Sequence, residues 1–306
     1  MNTDSEDVMH YSEIILLSQI EGIGRKTLWR VIMEAQEHHQ DTLDWKDYLG
    51  IIEKYKKRVF SRNQIDQAKQ KTERVLEWTY RQGIHICGYN HENYAVEFNK
   101  FGTDRPLLYY IKGDKNILQN KKRVAIVGTR NPTKMGYENA KKYAQLLSEL
   151  GFTIVSGLAK GCDTAAHKGT IKQKKKTVAI LPSGFNHIYP RENQNLSREI
   201  VNLGGALISE YSPFDEVETY HFIERNRIQV MLSQSVFIIE SSMKGGTCHT
   251  YQYAKKLKVP LWVPKSPTSP LTKNILSNHE GIAIESLEDI IAGIQNLKLD
   301  SMMIPI

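Results

Sequence analysis

Only three cysteines occur in the 306 residues, and no apolar run is long enough to span a bilayer. Cys87, Cys162 and Cys248 lie far apart, which excludes a disulfide framework and fits a reducing cytosol. The start of the chain, Met1-Asn-Thr-Asp-Ser-Glu-Asp-Val8, is acidic and unlike a signal peptide, so a cytoplasmic protein without membrane contact is expected. Phosphate-loop spacing (Gly-x-x-x-x-Gly-Lys-Ser/Thr) is missing, and so is a Gly-x-Gly-x-x-Gly after the first α/β strand, which argues against a nucleoside triphosphatase or a dinucleotide dehydrogenase. No Cys-x-x-Cys, His-Glu-x-x-His or Gly-x-Ser-x-Gly occurs. His38-His39 sits in a polar stretch and Cys248-His249 is a single pair, so no metal site is expected.

What is present is globular and basic. Hydrophobic residues make up 40% and charged residues 25%, which excludes a disordered or collagen-like chain. Lys and Arg number 41 against 34 Asp and Glu, a net charge of +7. Residues 1–78 hold 12 basic and 14 acidic side chains, a net of −2, whereas residues 79–306 hold 29 and 20, a net of +9. A polyanionic partner is therefore expected on the later part. The run Lys172-Gln-Lys-Lys-Lys176 reads more simply as a solvated loop.

Residues 1–78 read as a small helical domain. Ile14, Ile15, Leu17 and Ile20, then Leu28, Trp29, Val31 and Ile32, recur at helical spacing on either side of Glu21-Gly-Ile-Gly24. The pattern resembles a helix-hairpin-helix, whose turn amides either hold a phosphate or serve packing alone. More helix follows through residue 80. Residues 79–298 form the second domain, with a tail at 299–306. Strands are predicted at Ile84–Gly88 and Leu107–Lys112, extending a sheet at one edge. Six further strands, at 123–127, 152–156, 177–181, 206–209, 235–240 and 260–263, alternate with helices at 137–150, 163–172, 193–203, 222–232 and 247–257. That alternation predicts an α/β fold, a doubly wound and mostly parallel sheet with helices on both faces. Leu271–Asn296 adds a short helix, an extended stretch at Gly281–Ile284 and a last helix from Leu287.

In such a sheet, ligands bind beyond the carboxyl ends of the strands. Glycines and basic residues gather there: Gly128-Thr129-Arg130, Ser156-Gly157-Leu-Ala-Lys160-Gly161, Ser183-Gly184-Phe185-Asn186 with Tyr189-Pro-Arg-Glu-Asn193, and Glu240-Ser-Ser-Met-Lys244-Gly245-Gly246-Thr247. Exposed amides and helix N-termini at one place hold phosphate. Arg130 suits a bidentate phosphate contact, and Lys160 and Lys244 add point charges. Tyr189 could stack on unpaired bases, whereas Phe185 either stacks or anchors its loop. Arg225 and Arg227 are two apart on a helix and face different ways, so one is expected to meet the polyanion while the other pairs with Glu210 or Glu240. Asp163 reads as the N-cap of the helix that reaches His167, both being structural.

Taken in order, these motifs resemble the DNA-processing protein A family, also called Smf. The matching segments are Val127-Gly-Thr-Arg130, Ser156-Gly-Leu-Ala-Lys-Gly-Cys-Asp-Thr-Ala-Ala-His167, Gly184-Phe-Asn-His-Ile-Tyr-Pro-Arg-Glu-Asn193 and Glu224-Arg-Asn-Arg-Ile228, with Ser209-Glu210 and Leu108-Tyr-Tyr-Ile-Lys-Gly113. The resemblance implies an extended Rossmann-like domain that binds single-stranded DNA, usually as a homodimer. It also implies that DNA is handed to a RecA-type recombinase during natural transformation, without a cofactor. Three positions depart from the pattern: Cys162 stands for Ile, Ile223 for Pro, and Gly245-Gly-Thr-Cys-His-Thr250 for Ser-Gly-Ser/Thr-x-x-Thr. A divergent member is expected, one without the C-terminal winged-helix-like domain of many relatives. A competing likeness is to the lysine-decarboxylase-like phosphoribohydrolases, or to a nucleotide sensor of that fold, because Lys244-Gly-Gly-Thr247 begins like their glycine loop. Tyr251-Gln-Tyr253 stands where those enzymes place an acid, which leaves hydrolysis without a carboxylate.

Overall fold

Helical spacing and capping chemistry shape the first hundred residues. The computed structural model describes residues 4–37 and 44–302; residues 303–306 and His38-His39 lie outside them. Helices α1 (Asp4–Ser18) and α2 (Arg25–Glu37) form the expected hairpin, turning at Gly22 with a φ of +93° that side chains rarely adopt. Helices α3 (Trp45–Lys56) and α4 (Arg62–Arg81) each begin at a reciprocal capping box, Asp44 with Asp47 and Ser61 with Gln64. Ile15, Ile20 and Ile52 are buried in this part of the chain, as is Trp29, which packs on Tyr89. At the hairpin, Arg25 donates to the Thr103 carbonyl and Trp29 Nε1 to the Arg105 carbonyl at 2.9 Å, so the turn's basic residue is engaged in packing its own unit.

The chain divides into compact units Met1–Tyr110 and Ile111–Ile306, a break well past Trp78. The reason is aromatic. Strand β1 (Ile84–Gly88) and the first half of β2 (Leu108–Gly113) share the first unit with Tyr94, Phe98 and Tyr109, whose ring centroids lie 5.2–5.8 Å apart.

The second unit carries β3 (Arg123–Val127), α5 (Lys134–Glu149), β4 (Thr153–Ser156), α6 (Cys162–Lys172), β5 (Thr177–Ile180), α7 (Gln194–Asn202), β6 (Ala206–Ser209) and α8 (Thr219–Met231). It continues with β7 (Ser235–Ile238), α9 (Gly246–Lys256), β8 (Leu261–Pro264), α10 (Pro270–Ser277), β9 (Ile282–Ile284) and α11 (Leu287–Met302). Strands run in the order β6-β5-β4-β3-β7-β8-β9, all parallel, with Ala125 opposite both Val155 and Val236. The stretch at 281–284 is thus a seventh parallel strand, and α11 continues into the expected tail. The end of β2 meets the start of β6, where the Asp114 amide donates to the Gly205 carbonyl at 3.2 Å.

Successive residues of β3 serve opposite faces. Val124 and Ile126 pack with Tyr143, Leu147, Ala165 and Phe237 under α5 and α6, whereas Ala125 and Val127 pack with Val230, Ala254 and Ile275 under α8, α9 and α10. The chain winds from β3 outward to β6, then returns to β7 on the other side of β3. The topological switch point therefore lies between β3 and β7. Arg227 ties α8 to the end of β6: 1% exposed, it donates to both Glu210 carboxylate oxygens at 2.7 and 2.6 Å. Removing one member of a buried pair leaves the other uncompensated. Arg227→Ala is therefore expected to lower unfolding stability by about 3–5 kcal/mol in urea titrations, far more than a surface Arg→Ala change.

Candidate nucleic-acid interface

At the switch point the loops after β3 and β7 part around a cleft of about 630 Å³ in the second unit. Gly128, Thr129 and Arg130 line one side, and Gly245, Gly246 and Thr247 at the start of α9 line the other. First-turn amides of a helix have no partner within it, so α9 presents donors and a positive dipole end here. The walls are braced by the backbone and by Glu240. The Thr129 amide donates to the Glu240 carbonyl at 2.7 Å, and the Glu240 carboxylate accepts the Thr133 amide at 3.1 Å and hydroxyl at 3.0 Å, at the cap of α5.

The mouth combines cationic and aromatic groups. Exposed Arg130 lies 4.5 Å over the Phe222 ring, and Tyr189, 41% exposed, meets the same ring edge-on at 5.4 Å. The floor holds Arg225, only 4% exposed, which donates through Nη1 to the Ile180 carbonyl at 2.7 Å. A side chain at position 157 would fall on this guanidinium, so Gly157 is required by close approach rather than by DNA. Burial lowers the Arg225 pKa to about 10, with Asp163 opposing and Arg130 adding to the shift.

Asp163 is not the N-cap; that position belongs to Gly161. The Asp163 carboxylate instead accepts the amides of Gly157 at 3.2 Å and Ala159 at 3.3 Å and faces Arg225, and burial raises its pKa. His167 is fully buried, its Nδ1 2.9 Å from Thr177 Oγ1. Because the Thr177 hydroxyl donates to the Ile154 carbonyl at 2.7 Å, His167 must donate from Nδ1.

Of the expected contact residues, Gly128, Thr129, Arg130, Tyr189, Arg225, Gly245, Gly246 and Thr247 come together around the cleft. Others are placed elsewhere for definite reasons. Phe185 is 7% exposed, which makes it a loop anchor rather than a stacking platform. Ser183 donates to the His187 carbonyl at 2.7 Å, and the Gly184 amide to the Asp215 carbonyl at 2.9 Å. Asn193 is buried and donates to the Leu158 carbonyl and Thr164 hydroxyl, both at 2.8 Å. Arg227 is the structural arginine of its pair, already tied to Glu210. Lys160 is exposed beyond the lining and pairs with Glu192 at 2.6 Å; Lys244 is also exposed outside it. Of the departures, Cys162 is buried in the core, which raises its thiol pKa, while Ile223 and the Gly245-Gly246 pair line the cleft. Phe222, Asn226 and Gln229 also line it and were not anticipated. Gln229 carried a signal, as the one polar residue in the run Ile228–Leu232.

Among the described residues, no three His, Cys, Asp or Glu side chains could hold a metal ion, and no helix is long and apolar enough to cross a membrane.

A doubly wound parallel sheet with a switch-point cleft that joins an arginine, helix amides and two aromatic rings defines an α/β protein of Rossmann-like build. The family profile described as DNA recombination-mediator protein A matches residues 85–295, and the chain belongs to that family. It is 34% identical over 232 residues to the DNA processing protein DprA of Bacillus subtilis (strain 168), covering 75% of this chain and 77% of the relative. It is 38% identical over 151 residues to DprA of Streptococcus pneumoniae, covering 49% and 52%. The X-ray structure of DprA from Streptococcus pneumoniae superposes with a TM-score of 0.75 at 25% identity, over 94% of this chain and 97% of that one. DNA processing protein A from Helicobacter pylori, whose structure is described for its single-stranded DNA binding mode, gives a TM-score of 0.62 at 28% identity over 70% and 96%.

The His167 environment gives a pH test. Burial, and secondarily Arg225, lower its pKa from 6.5 to about 3, so between those values the unfolded chain binds the extra proton. Stability should rise with pH through this window and be lost as pH falls below 6.5. His167→Gln is expected to flatten that dependence by up to about 1.4 kcal/mol per pH unit in urea titrations from pH 6.5 to 4.

Proposed function

We propose that this chain binds single-stranded DNA in the switch-point cleft and passes it to a RecA-type recombinase, acting as a cytoplasmic homodimer without cleaving its ligand. The carrying observation is the cluster at the mouth, where Arg130 lies over the Phe222 ring and exposed Tyr189 meets that ring edge-on. A cation close to an exposed tyrosine ring suits a phosphate joined to an unpaired base, and a duplex hides the base faces. The relative described for its single-stranded DNA binding mode supports the same ligand. Asp163 is the one carboxylate among the lining residues, and its engagement with loop amides and Arg225 supports binding over glycosidic hydrolysis.

Fluorescence anisotropy with labelled strands tests this. Single strands are expected to bind more tightly than duplex of equal length, and the affinity to fall as salt rises. Arg130→Ala should weaken binding by about 1.5–3 kcal/mol and make the salt dependence shallower. Tyr189→Ala should weaken it by about 1–3 kcal/mol at an unchanged salt dependence. Equal affinity for duplex and single strand, with a salt dependence indifferent to Arg130, would overturn the proposal.

A further inference from the structure

We infer that the floor of the cleft is a subsite for the terminal phosphomonoester of a DNA strand, held by Arg225 Nε and Gln229 Nε2. The inference rests on the cleft being the DNA site and goes beyond it by naming which part of the strand reaches the floor.

Arg225 and Gln229 are one helical turn apart on α8, so they share a face, and both line the cleft. They are 4% and 1% exposed, and Arg225 Nε and Gln229 Nε2 are both buried without a hydrogen-bond partner. Buried donors are nearly always satisfied, because leaving one unpaired is costly. Gln229 has no evident packing purpose either. Its neighbours Ile228, Val230, Met231 and Leu232 are all buried apolar side chains, and another of that kind would fill the site without orphaning an amide.

The chemistry of the orphaned atoms selects the ligand. Both are donors, and the first-turn amides of α9 and the Arg130 guanidinium beside them donate as well, while the Asp163 carboxylate of the lining is already engaged by two loop amides and faces Arg225. A base edge brings donors of its own, whereas phosphate oxygens only accept. An internal phosphodiester has two free oxygens and chain on both sides, which suits the exposed rim at Arg130. A terminal phosphomonoester has three free oxygens, a charge of about −1.5 to −2 at pH 7, and chain on one side only. That shape enters the cleft end-on, toward the side chains of Arg225 and Gln229.

The test uses the full chain and oligothymidylates of one length bearing a 5′-phosphate, a 3′-phosphate or hydroxyls at both ends. One phosphorylated form is expected to bind about tenfold more tightly than the hydroxyl form, the scale of one charge-assisted hydrogen bond, and the two arms identify which end is held. Inorganic phosphate should compete that gain away. Gln229→Glu, which sets a carboxylate against the phosphate, should bring the ratio to one or below. Gln229→Leu should reduce it, and thermal melts of both variants report folding. If all three strands bind alike, or if a folded Gln229 variant keeps the full ratio, the subsite is overturned while single-strand binding stands. If no strand binds, the function and the subsite fall together.

Discussion

A guanidinium held almost out of water at the floor of the cleft is the constraint around which the second unit is arranged. Arg225 is accommodated because the Ile180 carbonyl takes one of its N–H groups, Asp163 supplies the opposing charge, and Gly157 has no side chain to obstruct it. Asp163 in turn fixes the loop after β4 through two backbone amides. The same positive charge helps to keep His167 neutral beneath the sheet. Residues that look like separate motifs along the chain are therefore parts of one electrostatic arrangement, and changing any one alters the others' protonation or position.

Much of the architecture is legible because parallel strands buried on both faces are short and apolar at their central residues. Arg123–Val127 and Ser235–Ile238 stand out from the polar helices between them, and the glycines after them mark the ligand end of the sheet. The division of labour between Arg225 and Arg227 is legible in part, since a spacing of two puts them on different helical faces. The partner of each is set by strands far away in sequence. What sequence hides is burial. An aromatic in a polar loop reads alike whether it faces solvent or, as Phe185 does, the interior. Lys160 looks like a ligand-facing cation until the chain turn brings Glu192 beside it. Asp163 satisfies the composition rule for a cap, yet the glycine two residues earlier takes that position. The clearest missed signal was Gln229, a polar residue where helical periodicity demanded an apolar one.

The posture of Arg130 has a consequence for timing. Its guanidinium already rests on the Phe222 ring, so little side-chain freedom is left to lose when a strand arrives. In the proposed complex such a cation, exposed and pre-set at the rim, governs the association rate and makes capture sensitive to ionic strength. Contacts at the floor are shielded from salt and from competing water, and they govern dissociation instead. Ionic conditions then decide how often a strand is caught, and the buried arginine decides how long it is kept.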